Sequence, residues 1–202
     1  MQFLKKLALG LSLFILIDVA NLARAEETAW EVYLNYPSSE NASQVTSIQS
    51  SRGASPSSGI GSSSELVILR LQIVAGDRQA FRMALRLASI ADGGVLEDLY
   101  GLLATAIRPQ PKMFLEEIEK MQVSTRVLES VLSMSGPEYV DRFEAQKYEL
   151  KMRRVALQSI TQKHLKSTQK KSMQILDAEL ARRGSGKPPE KPSLSKVEFS
   201  KK

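Results

Sequence analysis

The sequence predicts a mainly α-helical protein, a helical bundle or short α-solenoid of antiparallel helices. It also predicts a cleaved signal peptide in front and a disordered basic tail behind. Three observations carry the fold class. Glycine, aspartate and proline punctuate the chain at intervals of about 10–15 residues, an ordinary helix length. Between those marks the apolar residues recur with helical period. Hydrophobic residues make up 43% of the 202 residues, enough to build a core.

The first element is an export signal. Lys5 and Lys6 form a positive start, Leu7 to Ile17 is an apolar run, and Ala23-Arg24-Ala25 is the small-x-small pattern read by signal peptidase. The run is too short for a membrane span, which needs about 20 residues. Cleavage is predicted after Ala25, placing the mature chain in the periplasm or medium of a bacterium. The lack of cysteine fits that reading better than a disulfide-bearing secreted protein of a eukaryote.

Residues 26–37 form a short N-terminal element. Trp30 to Tyr36 alternates as a strand would, leaving helix and strand open. Residues 38–64 hold 12 serines with Gly53, Pro56, Gly59 and Gly61, and read as a flexible linker. The helical domain is predicted over 65–183. Glu65 to Ala75 opens on a Ser62-to-Glu65 capping-box spacing and stops at Gly76, which favours helix although Leu69 to Ile73 alternates. A hairpin between these two segments is the competing reading.

Asp77 caps the next helix, Asp77 to Ala91, which is apolar over most of its circumference and must be enclosed by several neighbours. Its polar side is Arg78, Gln79, Arg82, Arg86 and Ser89. Val95 to Ile107 is amphipathic, with Glu97, Asp98, Gly101 and Thr105 outward. Met113 to Met121 follows Pro109 and Pro111 and places Phe114, Leu115, Ile118 and Met121 inward. Glu116, Glu117, Glu119 and Lys120 are expected outward. Ser124 caps a further helix. Pro137 to Arg183 has no internal glycine or proline and as one helix would run about 70 Å. Its Thr161 to Ser172 section is nearly all polar and is expected to fray or bend. No repeated sequence is evident.

Charge divides the chain. Residues 26–136 hold 9 basic and 13 acidic groups, and residues 137–202 hold 16 basic and 8 acidic. The tail, 184–202, carries five lysines, three prolines and few apolar groups, too little burial to offset chain ordering.

Most catalytic classes lose their residues at once. There is no cysteine, and His164 is the only histidine. No Gly-rich phosphate loop, G-x-S-x-G, H-E-x-x-H or aspartate cluster occurs. No catalytic residue, metal site or cofactor is expected. Three groups remain as candidate sites. Arg78, Arg82 and Arg86 form a stripe at i, i+4, i+8 that would clamp an anionic ligand, or else pair with acids such as Glu97, Asp98 or Glu116. Tyr148, Met152 and Val155 form an apolar face on the long helix, either packed within the domain or offered to a partner. Lys163, Lys166, Lys170 and Lys171 would meet an anionic surface.

The expected partners are another protein or a second copy, with anionic lipid or cell-wall polymer as a further contact. Nucleic acid is not expected, because the address is extracytoplasmic and no aromatics interleave with the lysines. The function expected is a non-catalytic helical protein-interaction module of the bacterial envelope. The alternatives are a periplasmic immunity or inhibitor protein acting on a toxin or hydrolase, and a carboxylate-dependent cell-wall or lipid-processing enzyme.

Overall fold

A computed structural model describes residues 29–51, 63–134 and 142–184. The predicted signal peptide, residues 52–62 of the serine-rich segment and the tail beyond Gly184 lie outside the described residues, as do Ser62 and Pro137. Nine α-helices are described: α1 Ala29–Asn35, α2 Ser39–Ser51, α3 Ser63–Val74, α4 Arg78–Ile90, α5 Gly93–Ala104, α6 Pro111–Lys120, α7 Thr125–Ser133, α8 Phe143–Gln158 and α9 Lys166–Gly184. No strand occurs among the described residues. The hairpin reading is therefore replaced by α1 and α3.

The serine-rich segment departs from expectation. Serine density argued for a linker from residue 38, yet Ser39–Ser51 is a helix. The Ser38 hydroxyl accepts from the Asn41 backbone N–H at 3.0 Å, an N-cap bond, and the Asn41 amide donates to the Tyr36 carbonyl at 2.7 Å. Ala42 and Val45, one turn apart, are buried where α2 packs on α4. Tertiary contact outweighs the poor intrinsic propensity of serine.

Helix α4 is the hub of the first half. It packs against α2, α3, α5 and α6, and its Ala80, Phe81, Met83, Ala84, Leu85, Leu87 and Ala88 are all buried. Asp77 caps it, the carboxylate accepting from Gln79 at 2.7 Å and Ala80 at 3.1 Å. The preceding stop is a Schellman motif: Asp77 N–H bonds the Gln72 carbonyl, Gly76 N–H bonds the Ile73 carbonyl, and Gly76 takes φ +95°. Helix α9 is the second hub and packs against α6, α7 and α8. Helix α6 touches both hubs, and Phe114 meets Phe81 edge-on with ring centroids 5.9 Å apart.

The stretch without internal glycine or proline is not one helix: over residues 142–184 it is two, with the 3₁₀ turn inside the polar Thr161 to Ser172 section where a fray or bend is expected. Helix α8 ends at Gln158, and the chain turns back through a 3₁₀ turn at Lys163–Leu165 into α9. Gln169 holds the turn. Its amide donates to the Leu157 carbonyl at 2.6 Å and the Ile160 carbonyl at 2.9 Å, satisfying acceptors that the end of α8 leaves open. Helix α9 then lies along α8, which covers Leu150, Leu157 and Leu176.

Candidate functional site

The arginine stripe is occupied by the protein's own carboxylates. Arg82 grips Glu117 bidentately, Nε to Oε2 at 2.5 Å and Nη2 to Oε1 at 2.9 Å. Arg78 reaches Glu117 at 2.9 Å and Glu116 at 2.5 Å. Arg86 donates to the Ser43 hydroxyl at 3.1 Å. The stripe therefore ties α4 to α6 and α2. Glu116 was an expected partner. Glu117, expected outward, is fully buried. It stands one turn from both Met113 and Phe114, so the helical spacing was the signal. An arginine stripe with no acid on its own helix also called for a carboxylate from elsewhere. Burial pushes the Glu117 carboxyl up, but the hydrogen bonds from Arg82 and Arg78 outweigh it and hold it below the usual range.

A second device was not foreseen. Arg153 on α8 and Arg183 on α9 both donate into the C-terminal end of α7. Arg153 Nη1 reaches the Leu132 carbonyl at 3.0 Å and the Met134 carbonyl at 2.7 Å. Arg183 Nη2 reaches the Ser133 carbonyl at 3.0 Å. Each guanidinium is steadied by a glutamate four residues earlier, Glu149 at 3.2 Å and Glu179 at 2.6 Å. Cations here complement the negative end of the helix dipole and satisfy its open acceptors. The repeated Glu-Leu-x-x-Arg spelling, 149–153 and 179–183, was the legible trace of this pairing. Burial raises the Glu179 carboxyl, but bonds from Arg182 and Arg183 bring it below the usual range.

The lysine group does not act as one unit. Lys163, Lys166, Lys170 and Lys171 are exposed, but Lys166 Nζ donates to the Ile160 carbonyl at 3.2 Å and to Gln169 at 3.1 Å. Lys166 thus braces the α8–α9 turn. Lys171 lines a separate cavity of about 610 Å³ between α7 and α9. His164 is exposed.

The apolar face on α8 stands open. Tyr148 is 61% exposed and Val155 57%, with Met152 half-buried between them. Among the described residues no neighbouring helix covers Tyr148 and Val155. Met152 and Val155 line a surface cavity of about 530 Å³. Gly101 of α5 and Thr105, the residue that caps the end of that helix, also line it, and Arg70 closes it from α3. Glu149, Arg153 and Arg108 are its other charged residues, with Arg108 Nη1 on Glu149 at 2.9 Å.

Comparison with known proteins finds no matching family model, no similar curated protein and no similar solved structure. The groove's own geometry therefore carries the functional reading.

The helix beyond Arg70 extends the open surface. Val67, Ile68, Leu71 and Val74 of α3 are exposed, Leu71 at 64%. Helix α3 is apolar around nearly its whole circumference, a pattern usual for an enclosed helix. Here only Leu69 and Ile73 are buried in the core. The groove is thus lined from α3 by Arg70 and from α8 by Met152 and Val155, on two helices that also expose apolar side chains. Among the described residues, no three or more potential metal ligands converge, and no helix is long and apolar enough to cross a membrane.

Proposed function

We propose that the chain is a non-catalytic helical interaction module of the bacterial cell envelope. In this reading it is a helical bundle exported by a cleaved signal peptide and ending in a disordered basic tail. The carrying observation is the pair of exposed apolar faces, Val67-Leu71-Val74 on α3 and Tyr148-Val155 on α8, on the two helices whose Arg70, Met152 and Val155 line one groove. Uncovered apolar surface of this kind marks interaction sites in soluble proteins. A bundle is favoured over a solenoid because α6 touches α4, α8 and α9, whereas a solenoid unit touches only its neighbours. The non-catalytic reading rests on Glu117 and Glu179. Both are held ionised by arginines, whereas a general acid or base works best with a pKa near the operating pH.

The test is site-specific photocrosslinking in the native host. A photoreactive residue at 71 or 155 is expected to give the same discrete protein adduct. The same residue at Lys120, exposed at the end of α6, is expected to give none. Absence of any adduct at 71 and 155 would sink the proposal.

A further inference from the structure

Of the eight large apolar side chains exposed among the described residues, four stand on α3 and three on α8. The two helices are neighbours on the surface, because Arg70 of α3 and Met152 and Val155 of α8 line one groove. Each carries apolar residues at the spacing of a paired helix, i, i+4, i+7: Val67, Leu71 and Val74 on α3, Tyr148, Met152 and Val155 on α8. On a helix of 3.6 residues per turn, each stripe is about 60° wide and about 10 Å long. The flanks of the stripes differ. Around α3, Arg70 lies on the groove side, and Ile68, Gln72 and Glu65 follow on the side turned away. Around α8, Glu149 lies on the groove side, and the exposed Lys151 follows about 40° beyond Val155 on the side turned away.

Granted that these faces are an interaction site, their spacing specifies what covers them. A foreign protein would need two matching stripes at the same separation, whereas a second copy of this chain carries both. We infer that the mature chain forms a two-fold dimer in which the α3 stripe of each copy packs on the α8 stripe of the other. The two-fold axis runs along the groove, so both contacts form at once and the assembly closes. The short Val67, Leu71 and Val74 then meet the long Tyr148 and Met152, which lets the two surfaces interdigitate. Lys151 falls beside the flank that carries Glu65. An axis across the groove would instead stack α8 on α8 and bring Lys151 of both copies together, a like-charge contact that costs affinity. The charged lining of the groove stays along the axis, where trapped water keeps it solvated.

The size fits as well. Helices α3 and α8 leave about 20 side chains exposed or half-buried, and one side of a standard interface takes about 20–30 residues and buries about 800 Å². In the dimer α3 is enclosed, as its apolar circumference demands.

Sedimentation equilibrium of the purified mature chain at micromolar concentration is expected to give twice the monomer mass. Leu71→Glu and Val155→Lys are each expected to give a monomer with an unchanged far-ultraviolet spectrum, since both side chains are exposed. The two substitutions together in one chain are expected to restore the dimer, because the two-fold lays each new charge against its opposite. In the native host, a photoreactive residue at 71 is expected to give an adduct of two copies of this chain.

A monomeric unsubstituted chain would overturn the inference. So would a dimer that both single variants retain, or failure of the paired substitutions to restore it. With a monomeric chain, crosslinks from 71 and 155 to a different protein, or within one chain, would defeat the second copy alone. So would sedimentation with anionic vesicles that Leu71→Glu abolishes. Absence of any crosslink would defeat the interaction reading beneath it.

Discussion

Glu117 is buried between two arginines that keep partial contact with solvent, and its removal exposes what it does. Glu117→Gln leaves Arg78 and Arg82 without a carboxylate that accepts three of their hydrogen bonds. Breaking a buried pair is costly, but the solvated arginines moderate the loss, so the expected cost is about 2 kcal/mol in urea unfolding. The pH dependence has a definite sign. The folded carboxyl lies below its usual value of 4.5, so its stabilisation is present above that pH and is lost as pH falls through the lower folded value. Glu179 acts in the same direction. Unfolding midpoints measured from pH 7 to pH 3 are expected to fall in the acid limb, and less steeply in Glu117→Gln. A slope unchanged by the substitution would count against this account. Charge alone did not separate Glu117 from Glu116 and Glu119. Its helical spacing from Met113 and Phe114 was the legible difference, and the arginines of α4 that pair with it were set by the tertiary structure.

At the scale of one element, helix ends divide into those written in the sequence and those imposed on it. Gly76 was legible as a stop, and its φ of +95° explains the glycine. An added Cβ would also meet the Gln110 side chain at 3.2 Å, so Gly76→Ala is expected to cost more than about 1 kcal/mol. The end of α6 uses the same hydrogen bonds without glycine. Val123 N–H bonds the Ile118 carbonyl, Gln122 N–H bonds the Glu119 carbonyl, and Gln122 takes φ +51°. A residue with a Cβ pays a steric cost there. Gln122→Gly is therefore expected to stabilise the protein by about 0.5–1 kcal/mol, read as a higher urea midpoint. A lower midpoint would show that the Gln122 side chain contributes more than its strain costs. The Arg153 clamp makes the opposite case. Arg153→Met abandons the Leu132 and Met134 carbonyls and one side of Glu149, for an expected loss of about 2–3 kcal/mol. Arg153→Lys is expected to recover little, because an ammonium lacks the fork that spans both carbonyls and the glutamate.

Across the whole molecule, the two hubs α4 and α9 meet through α6. Phe114 of α6 is fully buried against Phe81 of α4, and the opposite side of α6 faces α8 and α9. Phe114→Ala is expected to cost about 3–5 kcal/mol. Because α6 belongs to both halves, thermal unfolding is expected to stay a single transition when followed by circular dichroism and by Trp30 fluorescence. Separate transitions by the two probes would mean that the α4 and α9 groups fold independently.

The sequence by itself determined the class of the fold and most of its local grammar. Helical periodicity, the caps at Asp77 and Ser124, the stop at Gly76 and the enclosure of α4 follow from interactions between residues close along the chain, so they are readable in order. The apolar face of Tyr148, Met152 and Val155 was visible for the same reason. What covers a face or meets a charge depends on residues far apart in sequence, and only the tertiary structure decided that. It turned Ser39–Ser51 into a helix by giving Ala42 and Val45 a partner in α4. It folded α9 back on α8 with Gln169 capping the break, at a place with no glycine or proline to announce it. It set Glu117 among arginines about 35 residues away, and it left apolar faces open on α3 and α8, the two helices that line one groove. Burial and pairing are sums over neighbours in space, and those neighbours exist only once the chain has folded.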